Sequence, residues 1–220
     1  MKTSIRYRLG VILPSLSLLF VTNVTTEAKT LRIQTGPVTT VETEFEPALV
    51  QDNSTDMHLD KAVAALSKGD KSTTTQELKA GIAGLESQAQ NQPTSFKDKL
   101  LAQAGKLKAL LPLIPTGALG NGVLGKAVSL AKLASGGSQL ESLVAAGSLL
   151  GKASQLTSGL KGIGGALSGL GGSQSAGQSL ISTALGTVGK LDQGGLVAKA
   201  AEPAAKTQIG SVLNFVKGVL

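Results

Sequence analysis

From Ser54 onward the apolar residues recur with a helical period. Leu59, Ala62, Val63 and Leu66 fall at i, i+3, i+4 and i+7, and Gly69 follows as a C-terminal stop. Thr74 with Glu77 fits a capping box, after which Leu78, Ile82, Leu85 and Ala89 line one face. The short turn at Lys68-Gly69-Asp70-Lys71 makes this pair an antiparallel hairpin. Pro93-Thr94 opens a third helix carrying Phe96, Leu100, Ala104, Leu107 and Leu111, and Pro112 and Pro115 end it. Thr116 is placed to cap a fourth, over 118–134, with Leu119, Val123, Ala127 and Leu130. Gly136-Gly137 predicts a break, and Ser138 a new cap for a fifth helix with Leu140, Leu143, Val144 and Leu150. Helical patterns follow over 149–170, 178–191 and 202–220. In the last of these Pro203 sits in the first turn and Ile209, Val212, Leu213 and Val216 form the apolar face. The expected fold class is all-α: a helical hairpin over 55–92, then a Leu/Gly-rich helical bundle over 93–220.

Residues 62–70 (Ala-Val-Ala-Ala-Leu-Ser-Lys-Gly-Asp), followed by Leu78 and by Gly81-Ile82-Ala83-Gly84-Leu85-Glu86, resemble one tetratricopeptide-type helical hairpin. The resemblance spans about residues 58–89, one unit. The family's large aromatic positions are missing, and no second copy follows at the expected period. It therefore implies a local helix hairpin and no peptide-binding groove.

The chain before the hairpin has a different character. Lys2, Arg6 and Arg8 form a basic front, residues 11–21 a short apolar core interrupted by Pro14, and Thr26-Glu27-Ala28 a signal-peptidase site. A signal peptide over 1–28, cleaved after Ala28, is expected, and with it export to a periplasm or the extracellular space. An uncleaved membrane anchor is the alternative, although the apolar core falls short of the roughly 20 residues a spanning helix needs. Residues 29–54 carry Gly36-Pro37, Pro47 and the acidic cluster Glu42, Glu44 and Glu46 without a helical period. A flexible acidic leader is expected there, with one weak strand over 38–45.

Composition narrows the chemistry. The 220 residues include 28 Gly, 4 Phe, 1 Tyr, 1 His and no Trp or Cys. Without cysteine there are no disulfides, thiolate metal sites or cysteine nucleophiles. A single histidine, His58, excludes histidine-based metal clusters and catalytic pairs within one chain. Asp56, His58 and Asp60 lie close in sequence; the two aspartates share a helix face, where they complement the helix dipole, and His58 points elsewhere. Serines near glycines, such as Ser158 and Ser168, lack a nucleophile-elbow context. The glycine runs near 120–126 and 159–165 follow no strand and lack the lysine–hydroxyl pair of a phosphate loop. No cofactor is expected, and the protein reads as a non-enzyme.

Charge divides the chain. Residues 29–96 carry 6 Lys/Arg against 9 acids, net −3; residues 97–220 carry 12 Lys against Asp98, Glu141, Asp192 and Glu202, net +8. The lysines are spread singly, as on a solvated surface, and lysine lacks the planar fork that reads bases. Specific nucleic-acid binding is not expected. The alternative function is a membrane-active or envelope-associated protein whose basic amphipathic, Gly-rich helices meet an anionic membrane surface.

The glycine tract holds the remaining signal: 20 glycines between 117 and 195. Helix-interior glycine costs roughly 1 kcal/mol relative to alanine, so these residues must lie in turns or at close helix contacts. Turns are expected at Gly136-Gly137, Gly164-Gly165, Gly171-Gly172 and Gly194-Gly195. Leu149, Ala153, Leu156, Leu160, Ile163, Leu167 and Leu170 step by 4 and 3, a heptad seam. On one helix, Gly151, Gly162, Gly165 and Gly169 would lie beside it. These residues form the candidate helix–helix interaction seam, through which the chain would bind a protein partner or a second copy of itself. The charge-free stretch 162–189 is long enough to cross a bilayer but too rich in Gly and Ser to do so.

Overall fold

The structure, a computed structural model, describes residues 53–92, 94–171 and 175–220; the expected signal peptide, the strand and the leader up to residue 52 lie outside them, while the last two leader positions, 53 and 54, belong to the first helix. All the described elements are helices, and among the described residues there is no strand. They are α1 (Asn53–Ser67), α2 (Lys71–Asn91), α3 (Lys97–Leu110), the single turn α4 (Leu113–Thr116), α5 (Asn121–Ala145), α6 (Ala153–Leu170), α7 (Ser175–Leu191) and α8 (Gly195–Val219). The fold is all-α: a hairpin followed by a Leu/Gly-rich bundle.

The hairpin closes as its turn chemistry dictates. Gly69 takes φ +75°, and the Asp70 N–H donates to the Ala65 carbonyl and the Gly69 N–H to the Leu66 carbonyl, each at 3.0 Å. This crossed pair satisfies two carbonyls at the end of α1. The cap of α2 differs from the expected one. Asp70 caps the helix by accepting from the Thr73 N–H at 3.0 Å, so Thr74 and Glu77 fall inside the helix. Thr74 is buried and donates its hydroxyl to the Asp70 carbonyl, and Glu77 reaches His58 instead of its own helix terminus.

Three other boundaries move for reasons of packing. Helix α5 starts at Asn121, so Leu119 lies in the loop before it, and the buried face is Leu124, Val128 and Ala131. Val123 is turned outward, 56% exposed. Helix α5 also runs unbroken through Gly136-Gly137 for 25 residues, about 37 Å at 1.5 Å per residue, and Ser138 is an interior residue rather than a cap. Helix α8 begins at Gly195, which puts Pro203 inside it. Pro203 cannot donate to the Lys199 carbonyl. It faces solvent, while Ala198, Ala201, Ala205 and Ile209 keep the buried face continuous across it.

Helix α5 belongs to two cores. Its first half packs Leu124, Val128 and Ala134 with Leu59 of α1, Leu78 and Leu85 of α2, and Leu100 and Leu107 of α3. Its second half packs Leu133, Leu140 and Leu143 with Leu156, Leu160 and Ile163 of α6, Ile181 of α7, and Ile209 and Val216 of α8. The hairpin thus shares its core with α3 and α5.

The glycines decide how closely these helices approach. A Cβ at Gly136 would lie 2.9 Å from Ile163, one at Gly137 2.5 Å from the Phe96 ring, and one at Gly159 2.8 Å from Leu140. Gly81 is likewise occupied by Leu59, Gly84 by Thr55, Gly169 by Ser129, and Gly177 by Phe215. These seven are sockets for side chains of neighbouring helices. The expected turns at Gly136-Gly137 and Gly164-Gly165 are absent because both pairs are helical. Gly171, Gly194 and Gly195 do turn the chain, with φ of 69°, 71° and 59°.

Two predictions follow from this packing. Gly137→Ala should lower stability by about 1–3 kcal/mol, since Phe96 is fully enclosed and cannot yield. Gly186→Ala, in the interior of α7 with nothing within 4 Å, should raise it by about 0.5–1 kcal/mol. Denaturant titration followed by circular dichroism checks both, and the same sign for the two would contradict this division of the glycines. Gln103 of α3 is 1% exposed and neither of its amide atoms has a hydrogen-bond partner. Gln103→Met keeps its length and removes the two orphaned groups, so the denaturation midpoint should rise.

Candidate functional site

The seam residues separate into two groups. Leu156, Leu160, Ile163 and Leu167 of α6 are fully buried inside the chain's own core, and Leu170 is partly buried against it. Leu149 is also fully buried but precedes the helix, and Gly151 lies in the same loop with φ +78°. Gly151 therefore does not join a glycine stripe on α6. Gly169 faces Ser129 of α5, while Gly162 and Gly165 have nothing within 4 Å of a Cβ position. The leucine seam is thus occupied by α5, α7 and α8, and what α6 offers to other molecules is its glycine side.

On that side a trough of about 380 Å³ lies between α1, α5 and α6. Val63, Val128 and Ala166 give it apolar walls, and Gly125 and Gly165 keep it open. Ser129 and Lys132 of α5 line it as well. Ser129 is 8% exposed and its hydroxyl faces Gly169 of α6. Lys132 Nζ donates to both carboxylate oxygens of Asp60, at 2.7 and 2.9 Å. Sequence reasoning had no signal for this trough, because its walls come from three helices and consist mostly of absent side chains.

The Asp56, His58 and Asp60 trio diverges. His58 Nδ1 meets Glu77 Oε2 of α2 at 2.5 Å, and Asp60 meets Lys132 of α5. Among the described residues no group of three His, Asp or Glu side chains could hold a metal ion. Ser168 donates to the Gly164 carbonyl and accepts from Gln178 Nε2 at 3.2 Å.

Polar side chains elsewhere stitch helices together. Glu141 of α5 accepts from the Ser95 N–H and hydroxyl at the start of α3 and lies 3.5 Å from Lys217 of α8. Lys217 also sits 5.2 Å from the Phe96 ring centroid, a cation–π distance. Gln92, Thr94 and Ser138 form a hydroxyl–amide chain that fastens the α2–α3 connection to α5. The acids of the hairpin reach the basic part of the chain: Glu86 pairs with Lys108 and Asp60 with Lys132. Eight of the twelve lysines in 97–220 have no carboxylate partner among the described residues. Among the described residues no helix is long and apolar enough to cross a membrane.

Compared with protein-family models, with curated proteins and with solved structures, the chain matches none.

Leu149 is held by α8. Its N–H donates to Glu202 Oε1 at 3.0 Å, and Lys206 contacts the same oxygen at 3.1 Å. The Leu149 N–H, and then Lys206, hold the Glu202 carboxyl below the usual glutamate range. A depressed carboxyl contributes its stability above the unfolded pKa and loses it as pH falls through the folded one. Glu202→Ala should therefore lower the melting temperature at pH 7. The gap to wild type should close below about pH 4. Thermal melts of both proteins from pH 7 to pH 3 check this, and a gap that stays constant to pH 3 contradicts it.

Proposed function

We propose that this protein is an exported, non-enzymatic structural or interaction protein that works through its helix surfaces, self-association included. The observation that carries the reading is the outer side of α6 and α7. Between Lys161 and Lys190 there is no charged residue, although Gly162, Gly165, Ser179, Ser182, Gly186 and Gly189 are all exposed. Loss of charge distinguishes the centre of a protein interface from ordinary surface. Exposed helical glycine with no internal neighbour also permits close approach by another backbone. Export is supported by the basic front, short apolar core and small-residue site of the first 28 residues. The non-enzymatic reading rests on the absence of cysteine and on a lone histidine bound to Glu77.

A second reading, association with an anionic membrane surface, is favoured by the eight lysines without carboxylate partners. Flotation with anionic vesicles at low salt tests it, and a protein that stays at the bottom of the gradient rules it out.

Self-association has a direct test. Leu160 and Leu167 are unsuitable targets because they are core residues. Gly162→Arg with Gly186→Arg places two charges where there is open space. Sizing with light scattering should show a concentration-dependent assembly for the wild type and a monomer for the double variant. A wild-type monomer at every concentration removes self-association.

A further inference from the structure

We propose that the end of the bundle formed by the α5–α6 loop and the α7–α8 turn docks onto an anionic lipid surface, with Leu196 and Val197 entering the headgroup layer. The inference rests on the membrane reading above and gives that reading a site.

The two connections come to one end because successive helices alternate in direction. Helices α5 and α6 run antiparallel, since Gly136 meets Ile163 while Gly159 meets Leu140. Helices α6 and α7 do the same: Gln178, near the start of α7, donates to Ser168, near the end of α6, and Ile181 lies beside the earlier Gly164. The start of α6 is therefore level with the end of α7, where the turn into α8 follows. The Leu149 N–H, donating to Glu202 Oε1 at 3.0 Å, ties the α5–α6 loop to α8. Glu202 is six residues from Leu196, about 9 Å along the helix.

This end gathers exposed apolar side chains. Among the described residues seven large apolar residues are exposed, and three of them are here: Leu150 at 38%, Leu196 at 84% and Val197 at 50%. The other four are scattered over α1, α3, α4 and the start of α5. A lone exposed leucine is ordinary surface, whereas a gathered patch marks a contact. Leu196 stands almost clear of its own chain in the first turn of α8. The buried face of that helix begins at Ala198 and includes neither Leu196 nor Val197.

Charge selects the partner. Residues 146–152 and 190–199 carry Lys152, Lys190 and Lys199 against Asp192, net +2. None of these three lysines has a carboxylate partner among the described residues. The centre of a protein interface is depleted in charge, as the outer side of α6 and α7 is. A protruding apolar tip with unpaired lysines suits a lipid surface instead. The apolar groups enter the boundary between headgroups and acyl chains, and the lysines extend to the headgroup phosphates. Each lysine near an anionic surface strengthens binding about fivefold.

The chain contains no tryptophan, so Leu196→Trp places a single fluorescent reporter at the tip. Val123→Trp, at a position 56% exposed near the opposite end of α5, is the control. Each full-length variant is mixed at low salt with vesicles of phosphatidylcholine and phosphatidylglycerol in equal parts, beside vesicles of phosphatidylcholine alone. With the anionic vesicles the reporter at position 196 should shift to the blue and be quenched by brominated acyl chains, while the one at position 123 stays water-like. Leu196→Asp with Val197→Asp should weaken vesicle binding at least about tenfold with an unchanged circular dichroism spectrum, and Lys190→Glu with Lys199→Glu should weaken it similarly. The tip is overturned, and the membrane reading left standing, if the wild type floats while the reporter at position 196 stays water-like or the folded Asp variant floats undiminished. Both fall if the wild type does not float. A blue shift at position 196 that needs no vesicles and grows with protein concentration overturns the tip in favour of a contact between copies of the chain.

Discussion

The contact between α5 and α6 is the constraint on which the rest of the bundle depends. It is reciprocal. Gly136 of α5 receives Ile163 of α6, and Gly159 of α6 receives Leu140 of α5. Within each helix the socket and the knob are four residues apart and so share one stripe. The pairing runs in opposite senses along the two helices, which makes the pair antiparallel. With alanine in place of either glycine, a fully buried side chain would have to move. Interiors are packed at crystal-like density and have little room for such a shift.

Because α5 is uninterrupted, it can serve two cores. Its leading half closes over the hairpin and α3, and its trailing half carries α6, α7 and α8. Phe96 marks the junction: it stands at the start of α3, plugs into Gly137 of α5 and lies beneath Lys217 of α8. The polar stitches lie around the same junction. Glu141 joins the start of α3 to α5 and α8, and Gln92, Thr94 and Ser138 join the α2–α3 connection to α5. Side chains that would meet only water on separate helices thus set the register between them. Of the seven glycine sockets, those at Gly81, Gly136 and Gly159 receive leucine or isoleucine and those at Gly137 and Gly177 receive a phenylalanine ring.

The charge division along the chain is partly reversed in space. Glu86 and Asp60, from the acidic part, hold Lys108 and Lys132 of the basic part. The lysines left over are what the membrane reading rests on. The glycines left over, those without an internal neighbour, are what the assembly reading rests on. In each case the functional proposal uses residues that the fold itself does not require.

Local pattern suffices for the existence of the helices and for the buried faces of α1, α2, α3, α6 and α8, but not for the leading half of α5, where Leu124, Val128 and Ala131 rather than Val123 and Ala127 face the core. The period of Leu59 to Leu66, of Leu78 to Ala89 and of Ile209 to Val216 is a local property, since a 3.6-residue repeat of apolar side chains has one way to be buried. Gly69 and Gly194-Gly195 were legible as stops for the same local reason. Gly136-Gly137, Ser138, Pro203 and the Thr74–Glu77 pair were misread, because a breaker or cap signal competes with tertiary packing and there the packing won. A glycine reads the same in a turn, in a socket or in open space; only the side chain facing it distinguishes the three, and that side chain lies on another helix. The seam leucines followed the same rule: their stripe was visible, but whether it met this chain's own helices or another molecule was decided by the tertiary structure. The trough was invisible for the same reason, being the space that Gly125, Gly165 and Ser129 leave between helices far apart in the chain.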